Sequence, residues 1–511
     1  MKIFSASQIR DWDKYTIQVE PVSSIDLMER AARACFNKIT EITNEDCRFI
    51  IFAGPGNNGG DGFAIARMLV AEGRSAKIFH FNSPTLSKEC NENRDRWIKL
   101  GLPIVDIISE DNIPGSFDQG DIIIDAIFGT GQSKPVEGLH AIVCKWINTS
   151  GLSVISIDVP TGVFSDASSV GRVQVQADFT VSLQSPKLCF FLPENRDAFG
   201  QIFILDIGLS KDYYQKTPVD FQSLEPVDLG KILKPRDPFS HKGNFGQALL
   251  LAGSHGMMGA SLLAARACLR TGVGKLFCAI PSGTLNIFQS ALPEAICLPD
   301  PTSTVISSLP QDMERFDAIG VGPGLGKDLL TRKMIRQLLL TVRQPLVLDA
   351  DALNIIAEEG LIREIPPETV ITPHWAEFSR LFGESENDGE RLQKALEKAN
   401  ELSIYIVLKG RYTLVASPDG RGDFNLTGNA GMAKGGSGDV LTGMITGLIA
   451  QGHRVLEACQ LGVCLHGIAG DLARDHHSEQ AMLASDIIEK IGGAFQKLAE
   501  VPDNSGQYSY L

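Results

Sequence analysis

Short, continuous apolar runs recur along this chain and alternate with helix-length segments. In the first half the runs at 48–54, 75–82, 121–129, 152–160, 179–183 and 201–208 read as strands. Stretches such as I-I-I-D-A-I-F and S-V-I-S-I-D-V-P have no polar face, which suits parallel strands covered on both sides. Between them, 62–72 and 136–148 have the length and pattern of helices. This rhythm narrows the fold to α/β, with a doubly wound sheet.

Around 210–242 the texture becomes polar and Pro218, Pro226, Pro235 and Pro238 appear, which reads as an interdomain connection. The alternation then restarts at 246–253, 275–281, 317–322, 345–349, 369–372 and 404–409. Two α/β domains follow, at 1–215 and 225–511. No repeat of fixed period relates them, and the polar stretch after Pro502 reads as a loose tail. With 47 basic and 61 acidic residues the net charge is −14, which disfavours a broad grip on nucleic acid or an anionic membrane. No apolar run reaches the roughly 20 residues of a membrane span, and Arg10, Asp11 and Asp13 interrupt any apolar leader. The ten cysteines lack finger or redox spacing. Cys459 and Cys464 with His466 are the nearest to a soft metal site, but buried thiols are the simpler reading. A cytoplasmic protein is expected.

Chemistry is concentrated at strand ends, where open α/β sheets bind ligands. G-P-G-N-N-G-G-D-G, 54–62, follows one strand and opens an apolar helix, a phosphate-friendly arrangement. It satisfies the dinucleotide fingerprint, yet the next strand ends Phe79-His80-Phe81-Asn82 without the carboxylate that ribose requires, so nicotinamide hydride transfer is disfavoured. D-A-I-F-G-T-G, 125–131, and D-V-P-T-G, 158–162, end two further strands. Asn57, Asn58, Asp61, Asp125, Asp158 and Thr161 thus gather on one rim, an oxygen-rich set suited to a hard cation. Each aspartate alone reads equally as a turn or cap residue.

The second half carries H-K-G-N-F-G at 241–246, A-G-S-H-G-M-M-G-A at 252–260, G-V-G-P-G-L-G at 320–326 and L-D-A-D-A-L-N at 348–354, each compatible with a plain turn. T-P-H-W-A-E, 372–377, opens a helix, with His374 free to meet a ligand and Glu377 to orient a metal-bound water or to complement the helix dipole. The sharpest element is G-N-A-G-M-A-K-G-G-S-G-D-V-L-T-G, 428–443. Its glycine-rich loop at 435–438 feeds a helix from Val440, an anion hole beside which Asp439 accepts a hydroxyl proton. K-G-R-Y-T, 409–413, reads as a strand-turn-strand corner able to hold a nucleotide, while His466 and Asp471 read as structural. No phosphate-loop NTPase or serine-hydrolase signature is present.

These motifs resemble a known family. G-N-N-G-G-D-G, D-A-I-F-G-T-G and D-V-P-T-G are similar to the NAD(P)H-hydrate epimerase domain, and T-P-H-x-x-E, K-G-R-Y-T and G-G-S-G-D-V-L-T-G to the NAD(P)H-hydrate dehydratase domain. Their order resembles the fused bifunctional NAD(P)H-hydrate repair enzymes. The resemblance implies a Rossmann-like doubly wound domain followed by a ribokinase-like one, and NADHX, NADPHX and ADP as small-molecule substrates. It implies that Asn57, Asn58, Gly59, Gly60, Asp61, Gly129, Thr130, Gly131 and Asp158 meet the hydrate, with Asp158 as acid/base. Asn58, Asp125 and Thr161 would bind K+. In the second domain Ala260, Gly324, His374 and Asp439 would meet the hydrate, with Asp439 as base. Lys409, Gly410, Arg411, Tyr412, Thr413 and Gly438 would hold the nucleotide, with Mg2+ as its partner. A homo-oligomer is expected. Two positions depart from the family: Thr161 replaces the usual Ser, and Trp375-Ala376 the usual Pro-Gly. The competing reading is an ATP-dependent kinase of a small alcohol or vitamin precursor, which leaves the first-domain motifs unexplained. A nucleotide-sensing module is a third reading, but a sensor needs no base beside an anion hole.

Overall fold

The computed structural model describes residues 1–500 apart from 114, 116 and 234. The tail after Pro502 lies outside the described residues. Contacts divide the chain into two compact units, one built on Met1–Val219 and one on Asp220–Glu386 and the residues from Glu390.

In the first unit seven strands form one parallel sheet. Their order is Ile104–Ile107, Ala76–Phe81, Phe49–Ala53, Ile122–Ala126, Ser153–Ile157, Phe179–Leu183 and Gln201–Leu205. The two central strands are buried at every position, as expected of runs without a polar face. Alternate residues feed opposite layers. Ile51 and Ile124 pack with helices Ser24–Ile42 and Asn57–Ala71, while Ile50, Phe52 and Ile123 pack with helix Gly138–Thr149. The winding direction reverses between Phe49–Ala53 and Ile122–Ala126, a topological switch point with a crevice beyond the strand ends.

The glycine-rich stretch differs from expectation. The helix begins at Asn57 rather than 62, so Gly59, Gly60 and Gly62 are helical. A Cβ on Gly59 would run into the Gly54 carbonyl, and one on Gly62 would sit 2.8 Å from Ala126 Cβ. These glycines bring the helix down onto the sheet, and that close approach carries Asn58 and Asp61 to the crevice.

In the second unit the strand order runs Phe221–Ser223, Gly422–Phe424, Leu414–Ala416, Tyr405–Leu408, Val370–Ile371, Leu346–Leu348, Ala318–Val321, Gln247–Leu251, Lys275–Pro281 and Ile296–Asp300. Only Leu414–Ala416 pairs antiparallel, with both its neighbours. The corner at 409–413 is the strand-turn-strand expected. The stretch read as a connection contains structure: Phe221–Ser223 extends this sheet, and Lys211–Lys216 and Pro226–Gly230 are short helices. Helices Met258–Arg270, Ser437–Ala450, Val455–His477 and Ala484–Ala499 pack into one hydrophobic core.

Helix Val455–His477 corrects another expectation, because at 23 residues it is long and apolar enough to cross a membrane by length and composition. Its apolar side chains, Leu461, Val463 and Leu465 among them, are instead buried in that core.

Candidate active sites

At the switch point of the first unit lies a cavity of about 720 Å3. Asn57, Asn58, Asp61, Gly129, Thr130, Gly131 and Asp158 all line it, so the structure brings these expected residues together. Gly59 and Gly60 do not, being turned into helix packing. Asp158 follows strand Ser153–Ile157 with a left-handed φ of 67°. Its Oδ1 is 2.8 Å from Lys187 Nζ, and its Oδ2 accepts from the Thr130 amide at 2.8 Å. Lys187 is 1% exposed and also donates to Ser182 Oγ and the Leu183 carbonyl. Burial pushes the Asp158 carboxyl up, but the Lys187 ammonium and the Thr130 amide hold it below the usual range. A Cβ on Gly129 would meet Asp158 Oδ2 at 2.9 Å, so the 129–131 turn passes close only as glycine.

The neighbouring acids behave oppositely. Burial pushes Asp61 well up, reinforced by Asp158, and raises Asp13 to about 6. One cavity thus holds a carboxyl kept below its ordinary range and another pushed above it. Both amide atoms of Asn58, Asp61 Oδ1, Thr130 Oγ1 and His140 Nε2 are shielded and lack a hydrogen-bond partner among the described residues. Such atoms cost about 1–3 kcal/mol each unless a ligand satisfies them. Asp125 sits deeper. It accepts from the Thr161 hydroxyl (2.7 Å), the Thr161 amide (2.9 Å) and Ser156 Oγ (2.8 Å), which braces two strand ends. Burial nevertheless raises its pKa.

In the second unit a cavity of about 780 Å3 is lined by Asp349, His374, Lys409, Gly410, Arg411, Thr413, Gly438 and Asp439. Helix Ser437–Ala450 starts at Gly436, whose φ of 98° suits glycine, and its cap has no side-chain hydrogen bond. Its first amides are therefore available to an anion. Asp439, in that first turn, is raised to about 6 by burial and then by Asp349, with Lys409 opposing. Lys409 Nζ is 2.8 Å from Asp349 Oδ1, and Thr442 Oγ1 donates to Asp349 Oδ2 at 2.7 Å. A Cβ on Gly438 would lie 3.2 Å from Lys409 Nζ, so glycine leaves room for the ammonium.

His374 caps helix Trp375–Phe382. Its amide donates to Glu377 Oε2 at 2.9 Å and its Nδ1 accepts from the Glu377 amide at 3.3 Å. The two readings of Glu377 resolve toward the cap. Trp375 lies under the Arg391 guanidinium and against Gly410. Tyr412 does not line the cavity; Arg411 covers its ring. Ala260 and Gly324 lie against each other, since a Cβ on Gly324 would sit 3.1 Å from Ala260 Cβ, but neither lines this cavity. Asp471 is structural as expected, accepting from the Gly428 amide and Asn429 Nδ2 at 3.0 Å. Cys459 and Cys464 are buried free thiols.

Comparison with known proteins decides between the readings. A family model described as YjeF-related protein N-terminus matches residues 24–189, and one described as NAD(P)H-hydrate dehydratase matches 248–492. The bifunctional NAD(P)H-hydrate repair enzyme of Thermofilum pendens is 35% identical, covering 98% of this chain and 97% of its own. That of Moorella thermoacetica is 33% identical, covering 98% of each. The chain belongs to the family of bifunctional NAD(P)H-hydrate repair enzymes. It is an enzyme that joins an isomerase and a lyase. A ribokinase-like superfamily protein from Enterococcus faecalis, 26% identical, covers 55% of this chain and 98% of its own with a TM-score of 0.50, in keeping with the ribokinase-like fold expected. An ADP/ATP-dependent NAD(P)H-hydrate dehydratase from Bacillus subtilis, co-crystallised with ATP and Mg2+, is 34% identical over 54% of this chain and 97% of its own (TM-score 0.48). The kinase alternative is not favoured, since it accounts for one unit alone.

The sequence alone does not single out Lys187, Asp13 or His140, and it offers Asp349 only within the turn-compatible segment L-D-A-D-A-L-N. A lysine inside the apolar stretch S-P-K-L-C-F-F is the one signal available for Lys187. Asp13 sits on helix Ala6–Val19, whose alternating charges disguise it as a surface residue.

Proposed function

We propose that the first unit interconverts the R and S epimers of NADHX and NADPHX, and that the second dehydrates the S epimer while converting ADP to AMP and phosphate. A dihydropyridine is an enamine, so water adds to the carbon beside the ring nitrogen. Epimerisation requires that hydroxyl to leave and water to return from either face. Asp61, its pKa raised by burial, donates the proton to the departing hydroxyl. Asp158, kept ionised by Lys187, faces the cationic ring and takes the proton from the returning water. Asn58 and the 129–131 turn orient the hydrate.

In the second unit Asp439 takes the proton from the ring hydroxyl as it attacks the terminal phosphorus of ADP. The helix-mouth amides and Lys409 receive the charge that develops. AMP leaves. The nitrogen lone pair then expels phosphate, and loss of a proton from the adjacent carbon restores the double bond. The 409–413 turn and Gly438 hold the nucleotide, and His374 meets the hydrate.

The oxygen donors of Asn58, Asp125 and Thr161 are of the type that suits K+, and Asn58 Oδ1 has no hydrogen-bond partner among the described residues; K+ would hold this rim in shape. Among the described residues no group of three or more His, Cys, Asp or Glu is poised around a metal. That suits Mg2+ brought in by the nucleotide and touched by Asp349 or Asp439, where it would neutralise phosphate charge. The observation that carries the reading is the pairing of Asp439, about 6 in pKa, with an open helix N-terminus.

The test supplies both epimers with ADP and Mg2+ and follows NADH absorbance. Full recovery is expected. The Asp158→Ala variant should stall with the R epimer left over, and consumption at the wild-type rate would remove Asp158 from the mechanism.

A further inference from the structure

Alternate residues of the stretch 128–132 hang from the chain that follows strand Ser153–Ile157. The Phe128 amide donates to Thr161 Oγ1 at 3.0 Å and the Thr130 amide to Asp158 Oδ2 at 2.8 Å. Ser165 Oγ donates to the Thr130 carbonyl at 3.3 Å. Gln132 supplies the last tie, with its own side chain. Its Oε1 accepts from the Gly162 amide at 2.9 Å, and its Nε2 donates to the Lys134 carbonyl at 3.0 Å. An N–H requires the oxygen and a carbonyl requires the amino group, so the two partners fix which way the side-chain amide points.

The two ends of this clasp differ. Gly162 is firmly held. Its φ is 99°, a Cβ there would come within 2.2 Å of the Val173 carbonyl oxygen, and the adjacent Thr161 carbonyl accepts from the Val175 amide at 2.8 Å. The other end is a stretch with little else to hold it. Ser133, Lys134 and Pro135 all line the cavity of the first unit. Among the described residues, the bond from Gln132 is the one hydrogen bond that this stretch makes. Without it, three residues of the cavity wall would have to be ordered by whatever binds there, and ordering backbone is costly.

We propose that Gln132 is a positioning residue of the epimerase, a clasp that fastens the 133–135 stretch to the Gly162 anchor in the shape the hydrate meets. This rests on the reading of the cavity as the epimerase site. Gln132 takes no part in the proton transfers at Asp61 and Asp158. It acts through the wall it holds, before the hydrate arrives. A bound hydrate orders that wall by itself, so loss of the clasp weakens binding and leaves the chemical step nearly untouched.

The experiment follows interconversion of the R and S epimers of NADHX by chromatography, using the full-length protein without ADP so that the second unit is idle. Gln132→Leu, which loses both bonds, should raise KM for the R epimer about 10-fold with kcat within about 2-fold of wild type. Gln132→Glu keeps the Gly162 bond and loses the Lys134 one, so its KM should rise about 3-fold. Dehydration of the S epimer with ADP should be unchanged in both. In the substrate-free wild type, hydrogen exchange at the Gly162 amide should be slow, and Gln132→Leu should speed it. A KM that stays at the wild-type value in Gln132→Leu, or a loss confined to kcat, overturns the proposal. So does a Gly162 amide that exchanges in the wild type as fast as an unbonded loop amide, a result that needs no variant to fold. Wild type that interconverts no epimer at all would sink the proposed function and this inference together.

Discussion

Asp439 is held in a state that favours activity over stability, and Asp439→Asn separates the two. Its pKa rises from 3.8 to about 6, chiefly through burial and then through Asp349. A raised acid pKa means the native state keeps a proton that the unfolded chain has released. Stability is therefore lost as pH rises through the window from about 4 to about 6, and the loss is complete above it. The cost is about 1.6 kcal/mol at pH 5 and about 3 kcal/mol at pH 8. Asparagine does not carry it, so Asp439→Asn should be more stable than wild type, with a margin growing by about 1.4 kcal/mol between those pH values. These are upper figures, since Lys409 loses a favourable neighbour. Activity should move the other way. The base works deprotonated, so dehydratase kcat/KM should climb with pH through about 6, with pH 5 giving about a tenth of the plateau. The variant should lose on the order of 100-fold or more in kcat. Urea denaturation and initial rates across pH 5 to 8 read both effects. A variant that keeps more than a tenth of the activity, or is less stable than wild type at pH 8, refutes the reasoning.

Other perturbations separate the two units. Lys187→Met strands Asp158 in a buried site and should destabilise the first unit by about 3–5 kcal/mol; adding Asp158→Asn should recover part of this in tryptophan-monitored denaturation. Gly438→Ala puts a Cβ 3.2 Å from Lys409 Nζ, so the KM for ADP should rise about 10-fold while epimerase rates hold. Replacing K+ with tetramethylammonium should slow epimerisation several-fold, read as residual R epimer when the dehydratase is in excess.

The α/β class and the gathering of strand-end residues were legible because apolar runs without a polar face admit few arrangements. Asp158, Asp439 and the 409–413 turn follow from strand ends and glycine. What the sequence hid depends on tertiary burial. Lys187 and Asp158 lie 29 positions apart and meet only through the left-handed turn at Asp158. The glycines at 59, 60 and 62 read as a loop because glycine signals turns, yet here they serve close helix packing. The stretch 455–477 reads as an apolar helix, but the packing role of Gly462, Gly467 and Gly470, each set against a close neighbour, shows only in three dimensions.

The central claim is that the ring hydroxyl is phosphorylated before it leaves. Hydrated NADH carrying 18O in that hydroxyl, turned over with unlabelled ADP, tests it directly. Transfer to phosphorus followed by C–O cleavage puts the label in inorganic phosphate, one atom per NADH formed. Unlabelled phosphate, with the heavy oxygen found in water, would contradict the account.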